Sequence, residues 1–593
     1  MSGESLTRSL GHSLAHSLTH HYLLASSISP EMKTTDLLLA QLLLSSSPGI
    51  MAIPGTSTST ISGADSGSDV LFSAWQPFSS ALPIPPTIDM RQGGNVHIEM
   101  KKFDHNFKGG LSFATPMYGY ALQGHAPSFP GPTILTRRDV PVNITWHNSL
   151  EAPHILDSHI ARDLLLHPSS CYPACGIPAI VHIHGMEVPA SSDGVPYQSL
   201  YGNSSRIDTY PNAQMSSTHV YHDHAMGLTR LNHWSGLVGT YIIEDPKLEA
   251  DIASAVDIPL VITDTLVDPL GTLLYPDSPC NPHYPLEATK WAPESFGSVN
   301  AVNGVVLPYL DVPQQNVRFR FINGANSRNF GLNIPFFSQC TLIAKDMGLV
   351  NEPYVLSSAD EILLYPLERV DLMCDFTKTA LGSEFNITDW SYTEETTQDF
   401  AGIMQLRVVT ADTKDEQHVS IPKTLNHIKN LQELYVASPG AERHLMLDEV
   451  VDEDDCPLKL VIKVDDAVSS FENRDHIECV KGDVEKWVFR NPTADVHPFH
   501  WHAIAVQCGN DDASIDTNSL KDTVQIPNAE DDTETITQVC YVACTPNDYL
   551  VEGSDASPTD FRFSTKDPYV VHCHMLEHEE NAMMTYFFLA DKE

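Results

Sequence analysis

The chain has 593 residues, with 34 Lys+Arg against 76 Asp+Glu, for a formal net charge of -42. Its length excludes a single small core, and its charge excludes any function that depends on broad attraction to nucleic acid or an anionic membrane surface. With 42% apolar and 19% charged residues, and 41 Pro and 32 Gly punctuating short alternating runs of Val, Ile, Leu, Tyr and Thr, the sequence predicts a globular, all-β protein.

Residues 1–68 are Ser-rich, with His12, His16 and His20 at helical spacing and an apolar run, Leu37 to Leu44, too short to span a bilayer. From Met32 the segment follows the pattern of a secretory signal, with Asp36 out of place inside it, so 1–68 is expected to be a leader or a disordered extension and the protein to be secreted. No other segment resembles a membrane span, and sequons at Asn143, Asn203 and Asn386 permit glycosylation. Beyond this lie three strand-rich blocks, 69–248, 249–415 and 416–593, each the size of a Greek-key sandwich. Asp448 to Asp455 and Asn528 to Thr535 read as solvated acidic loops, and Val539 to Phe561 reads as an insertion before the last strand, most simply a surface loop.

Histidine carries the chemistry. Random placement of 28 His in 593 positions gives roughly 1.3 His-x-His pairs, whereas this chain has four in ordered contexts: His182 and His184, His222 and His224, His500 and His502, His572 and His574. Residues i and i+2 of a strand share a face, so each pair presents two imidazoles side by side, and four pairs can encircle a metal cluster. In HCHMLEH the same alternation sends Cys573 to the opposite face from His572 and His574. Cys573, His578, His497 and Met583 together supply the thiolate, two imidazoles and weak axial thioether of a blue-copper site. Eleven Cys is an odd number, so this thiolate leaves ten that could pair. A zinc site needs at most four protein ligands, fewer than ten histidines and a thiolate in four motifs.

At these motifs the sequence resembles the multicopper oxidases, and YHDHAMGLTRLNHWSGLVGTYIIED, NGVVLPYLDV, RFRFINGANSRNFGLNI, KDTVQIP and HCHMLEHEENAMM resemble the bilirubin oxidase and spore-coat laccase branch over roughly 95–590. The resemblance implies three cupredoxin-like Greek-key domains and four coppers per chain. Type 1 copper would take His497, Cys573, His578 and axial Met583; type 2 would take His182 and His500; the type 3 pair would take His184, His222, His224, His502, His572 and His574. It further implies that a small-molecule or metal-ion reductant gives up electrons singly through His578, and that the backbone around Cys573 leads them to a cluster reducing dioxygen to water. Glu579 and Asp193 match acids that the branch places near its cluster, and both are expected to relay protons. Trp501 is expected to pack on the opposite strand face. Cys171, Cys175, Cys508, Cys540 and Cys544 match no bridge of the family, and Cys171–Cys175 is disfavoured by having only three residues between.

The function expected is therefore a laccase-like oxidase of phenolic or aromatic reductants, working as a monomer without nucleic acid or a membrane span. Alternatives are a bilirubin oxidase, an oxidase of Fe(II) or Mn(II), and a copper-binding structural protein. No Met-rich stretch appears among the 16 Met, which disfavours a cuprous oxidase. A metal oxidase would need carboxylates placed beside the type 1 site.

Overall fold

A computed structural model describes residues 75–592, except 111–112, 161–170, 253–255, 269, 277–291, 392–400, 412–418, 452–456, 470, 472–475 and 530–534. The strands form six sheets, two in each sequence block. In the first block a five-stranded sheet runs in the order Thr87–Asp89, Gly131–Arg137, Val238–Glu244, Ser217–Asp223, Val181–His184, and a four-stranded sheet accompanies it. Seven- and five-stranded sheets make up the second block. The third has a six-stranded sheet and a five-stranded one ordered His476–Val480, Met584–Ala590, Tyr569–Cys573, His497–Trp501, Thr523–Ile526. The fold is all-β, of cupredoxin-like sandwiches. Among the described residues, no helix is long and apolar enough to cross a membrane.

The burial patterns show why these runs become strands. Val142–Asn148 alternates buried and half-buried positions, as a strand does with one face on a core and one turned outward. Its inward Ile144 and Trp146 meet Ile98, Met100, Tyr120 and Tyr221 in the first core. The four strands that carry the histidine motifs do not alternate. Val181–His184, Ser217–Asp223, His497–Trp501 and Tyr569–Cys573 are buried at every position. Their second faces are covered by the opposing sandwich, since His182 stacks on His502 at 3.9 Å and His184 on His500 at 3.6 Å across the seam.

Three sequence expectations are corrected. Val539–Ala543 is not part of an insertion: strand Gln538–Ala543 pairs with both Val484–Arg490 and Ala505–Gly509, and Cys540 bonds to Cys508. A nearly continuous apolar run marks a strand covered on both faces, and here it lies inside a sheet. Asp448 to Val451 are not a loop but the end of strand Pro439–Val451, paired with Pro457–Val464, where Asp448 and Glu449 are half-buried and Val450 and Val451 are exposed. Cys171 and Cys175 do bond, because a turn closed by the Cys175 N–H on the Cys171 carbonyl brings their Cα atoms to 5.5 Å, within the range a disulfide spans. Cys340–Cys374 and Cys479–Cys544 are also bonded, and Cys573 is the free thiol among the described cysteines. The readings of residues 1–68, with the His12, His16 and His20 repeat, lie outside the described residues, as do 452–455 and 530–534 of the two acidic stretches.

Candidate metal centre

Strand register gathers the histidines. In the antiparallel pair of Val181–His184 with Ser217–Asp223, His182 stands opposite His222. In the third block His500 stands opposite His572, and Phe499 opposite Cys573. Alternation then puts His500, His502, His572 and His574 toward the seam, and His497, Cys573 and Trp501 toward the core of the third sandwich. Trp501 lies there against Trp487, Phe489 and Phe499.

Across the seam, the ligand atoms of His184, His222 and His574 lie within 4.8 Å of one another, as do those of His224, His502 and His572 and those of His182, His184 and His500. Most rings are tethered by one nitrogen only. His182 Nδ1 donates to the Asp193 carbonyl at 2.6 Å, His222 Nδ1 to that of Asp223 at 2.9 Å, His500 Nδ1 to that of Asp522 at 2.8 Å and His572 Nδ1 to that of Cys573 at 2.9 Å. A carbonyl can only accept, so Nδ1 carries the proton and Nε2 is left with a lone pair.

Those lone pairs have no partner in the protein. His182 Nε2, His222 Nε2, His500 Nε2, His184 Nδ1 and both nitrogens of His574 are buried and unbonded, and His502 Nε2 faces His572 Nε2 at 3.2 Å. Orphaned buried nitrogens are rare and costly. Here they converge, as a donor set for metal ions requires, and all-imidazole donors suit copper. Burial and the crowd of neighbouring imidazoles push His184, His222, His500, His502 and His574 well below the ordinary histidine range. Burial takes His572 down to about 4 against the pull of Glu579. These six rings are therefore neutral, the form that coordinates.

On the other face, Cys573 Sγ lies 3.6 Å from His497 Nδ1 and 3.7 Å from His578 Nδ1, and these two nitrogens are 3.2 Å apart. This is a trigonal thiolate and imidazole set of the blue-copper kind. Met583 is fully buried beside it, its N–H donating to the His578 carbonyl and its own carbonyl accepting from the Cys573 N–H. The short helix Leu576–Glu580 serves both sites, placing His578 at the thiolate and Glu579 at the histidines. Glu579 Oε1 lies 2.9 Å from His224 Nδ1 and its Oε2 3.3 Å from His572 Nδ1; burial raises its carboxyl, opposed by His572. Asp193 Oδ2 accepts from His502 Nδ1 at 2.7 Å. Both sequence-nominated acids thus touch cluster rings.

Other participants are absent from the motif reading. Glu294 Oε1 is 3.1 Å from His578 Nε2. Asp495 is pushed up to about 6 by burial and the neighbouring Glu294, and Glu449 is pushed up to about 7 by burial with Asp495 and Glu294 close by. Asp522, inside KDTVQIP, and Thr523 beside it reach His184. Asp495 lies two residues before a histidine of the HPFHWH run and was visible as a neighbour, but Glu294 is 284 positions from His578 and carries no local signal.

Residues 176–248 and 443–593 match the multicopper oxidase family. A laccase of Bacillus subtilis is 30% identical over 562 residues, covering 87% of this chain and 99% of its own. Multicopper oxidase LPR1 homolog 1 of Oryza sativa subsp. japonica is 28% identical, covering 79% and 84%. The McoA multicopper oxidase of Aquifex aeolicus superposes with a TM-score of 0.64 over 86% of this chain and 99% of that one, at 22% identity, a likeness of fold. The chain belongs to the multicopper oxidase family and is a copper-dependent oxidoreductase with dioxygen as its acceptor.

Proposed function

We propose that the protein is a laccase-like oxidase that takes electrons singly from a small reductant beside His578 and reduces dioxygen by four electrons and four protons to two waters at the eight histidines. The observation that carries this reading is one strand end: Cys573 faces the trigonal site while its peptide neighbours His572 and His574 face the histidine site, so a few covalent bonds join the two. His497, Cys573, His578 and Met583 would hold one copper, His182 and His500 a second, and the triads His184, His222, His574 and His224, His502, His572 two more. Bound copper supplies the one-electron redox chemistry. The chain's residues supply the rest. Glu579, 2.9 Å from His224, and Asp193, bonded to His502, hold protons at the place where reduced oxygen needs them. All eight rings are fully buried, which keeps bulk water from the site.

The Bacillus subtilis relative is a laccase, which supports phenols and aromatic amines as reductants. A second reading, with Fe(II) or Mn(II) as reductant, is favoured by the carboxylates of Glu294, Asp495 and Glu449 gathered outside His578, a hard oxygen set suited to such ions. Four disulfides among the described residues support an oxidising compartment for the protein, in keeping with secretion. Dioxygen uptake with a substituted phenol, bilirubin, Fe(II) and Mn(II), repeated on a Glu294→Gln, Asp495→Asn double variant, separates the readings. Phenol turnover that survives in the variant supports the laccase reading. Turnover only with a metal ion, lost in the variant, overturns it in favour of the second. Hydrogen peroxide as the sole product would refute four-electron reduction.

A further inference from the structure

Among the eight seam histidines, His184 is turned round. The rings of His182, His222, His500, His502 and His572 are tethered through Nδ1, His224 turns its Nδ1 to within 2.9 Å of Glu579 Oε1, and His574 is tethered through neither nitrogen. His184 is held instead through Nε2, at 2.7 Å from Thr523 Oγ1 and 3.1 Å from Asp522 Oδ1, with Nδ1 left unbonded. A carboxylate only accepts, so the His184 proton sits on Nε2 and the lone pair on Nδ1.

Asp522 is held far more rigidly than a hydrogen-bonding partner requires. Arg369 grips it bidentately, Nη1 to Oδ1 at 2.7 Å and Nη2 to Oδ2 at 2.6 Å. The other three guanidinium N–H groups go to the carbonyls of Thr218, Leu367 and Asp346, each at 3.0 Å, so all five donors are used. Such a fork has one fitted orientation, and it transmits that orientation to the carboxylate. The buried set around it is uneven in charge: Arg369 and Lys521 against Asp346, Glu368 and Asp522.

Space has been made for this arrangement. Gly185 has φ +81°, and a Cβ there would come within 2.2 Å of Asp522 Oδ2 and 3.0 Å of Arg369 Nη2, which accounts for the glycine after His182-Ile-His184. The Asp522 carbonyl also accepts from His500 Nδ1, so one residue fixes two stacked rings, one from each sandwich.

We propose that Asp522, oriented by Arg369, is a positioning residue that locks His184 as the Nε2–H tautomer and so makes Nδ1 its metal-ligating atom. The inference rests on the proposed histidine-bound copper site and adds to it a requirement contributed by the second sandwich, through Arg369. Partners of this kind commonly change metal affinity 10–100-fold.

The test titrates Cu(II) into copper-depleted full-length protein against a competing chelator, with the blue thiolate absorption read separately from the paramagnetic resonance of histidine-bound copper. Asp522→Asn must turn an amide N–H toward either Arg369 or His184. It is expected to weaken histidine-site Cu(II) about 10–100-fold and change its resonance parameters, while the blue absorption is retained. Arg369→Lys, which loses the fork but keeps the charge, is expected to do the same more mildly, and it decides the matter if the Asn variant does not fold. Unchanged copper affinity and resonance in a folded variant, even one of lower thermal stability, would leave a mere domain staple and overturn the proposal. Wild-type protein that binds no Cu(II) at the histidines would instead refute the proposed function itself.

Discussion

Glu187 offers a sharp test of how the seam is held together. It follows the first ligand strand by three residues and is buried, its Oε2 accepting the Asn547 N–H from the third sandwich at 2.7 Å. It borders a cavity of about 380 Å³ whose lining includes Arg138, Asp548, Asp560 and Arg562. Burial, with Asp548 adding to it, pushes its carboxyl from 4.5 up to about 8, against the opposing pull of the Asn547 N–H and Arg562. Because the folded value lies above the unfolded one, the contribution to stability is full below pH about 4.5 and is lost as the pH rises to about 8. The shift of about 3.5 units corresponds to roughly 5 kcal/mol, of which about 4 falls between pH ~5 and ~8. Glutamine releases no proton, and its amide oxygen can still accept from Asn547. Glu187→Gln should therefore gain on wild type by about 4 kcal/mol across that interval, read from guanidinium unfolding of both copper-loaded proteins by tryptophan fluorescence. A gap that is the same at both pH values refutes the reasoning.

Three further outcomes are expected. Cys573→Ser should abolish the blue absorption and turnover while copper remains at the histidines by metal analysis, and a blue, active variant would remove the thiolate assignment. Arg230→Leu leaves buried Glu580 without the guanidinium that now bonds it at 2.8 Å, so thermal unfolding should show a loss of roughly 3–5 kcal/mol; no measurable loss would mean the carboxyl finds another partner. Glu579→Gln should lower turnover about 10²–10⁴-fold with copper content unchanged, and equal turnover at every pH would end its role as a proton donor.

The all-β fold was legible because short alternating runs and turn residues are local signals, and the histidine pairs were legible because period 2 is written in adjacent letters. The same rule separated Cys573 from its neighbours. Features made by tertiary contact were not legible. Arg369 and Asp522 meet across 153 positions, and neither stands in a metal-binding pattern. Glu294 comes from a stretch with no recognisable element, yet it bonds to His578. The strand Gln538–Ala543 was misread because its flanking Cys and Pro look like loop punctuation, whereas its burial on both faces is a property of the sheets around it. Cys171 and Cys175 show the converse, a close spacing that only turn geometry could make bondable.

Dividing the ligands between two distant sandwiches also sets an order in time. His224 is the last histidine the first sandwich contributes, and His574 the last from the third, 350 positions later (574 minus 224). At ~5–20 residues per second, a growing chain passes roughly 20–70 s between them, and its first domain folds early in that interval. Until the third sandwich arrives, the four imidazoles of the first, of which His182 and His184 later stack on His502 and His500, lack the rings that close over them. The eight-histidine set therefore cannot close before His574 has been made. A nascent or truncated chain that stops short of His572 is a half-site, able to hold whatever divalent ion reaches it first.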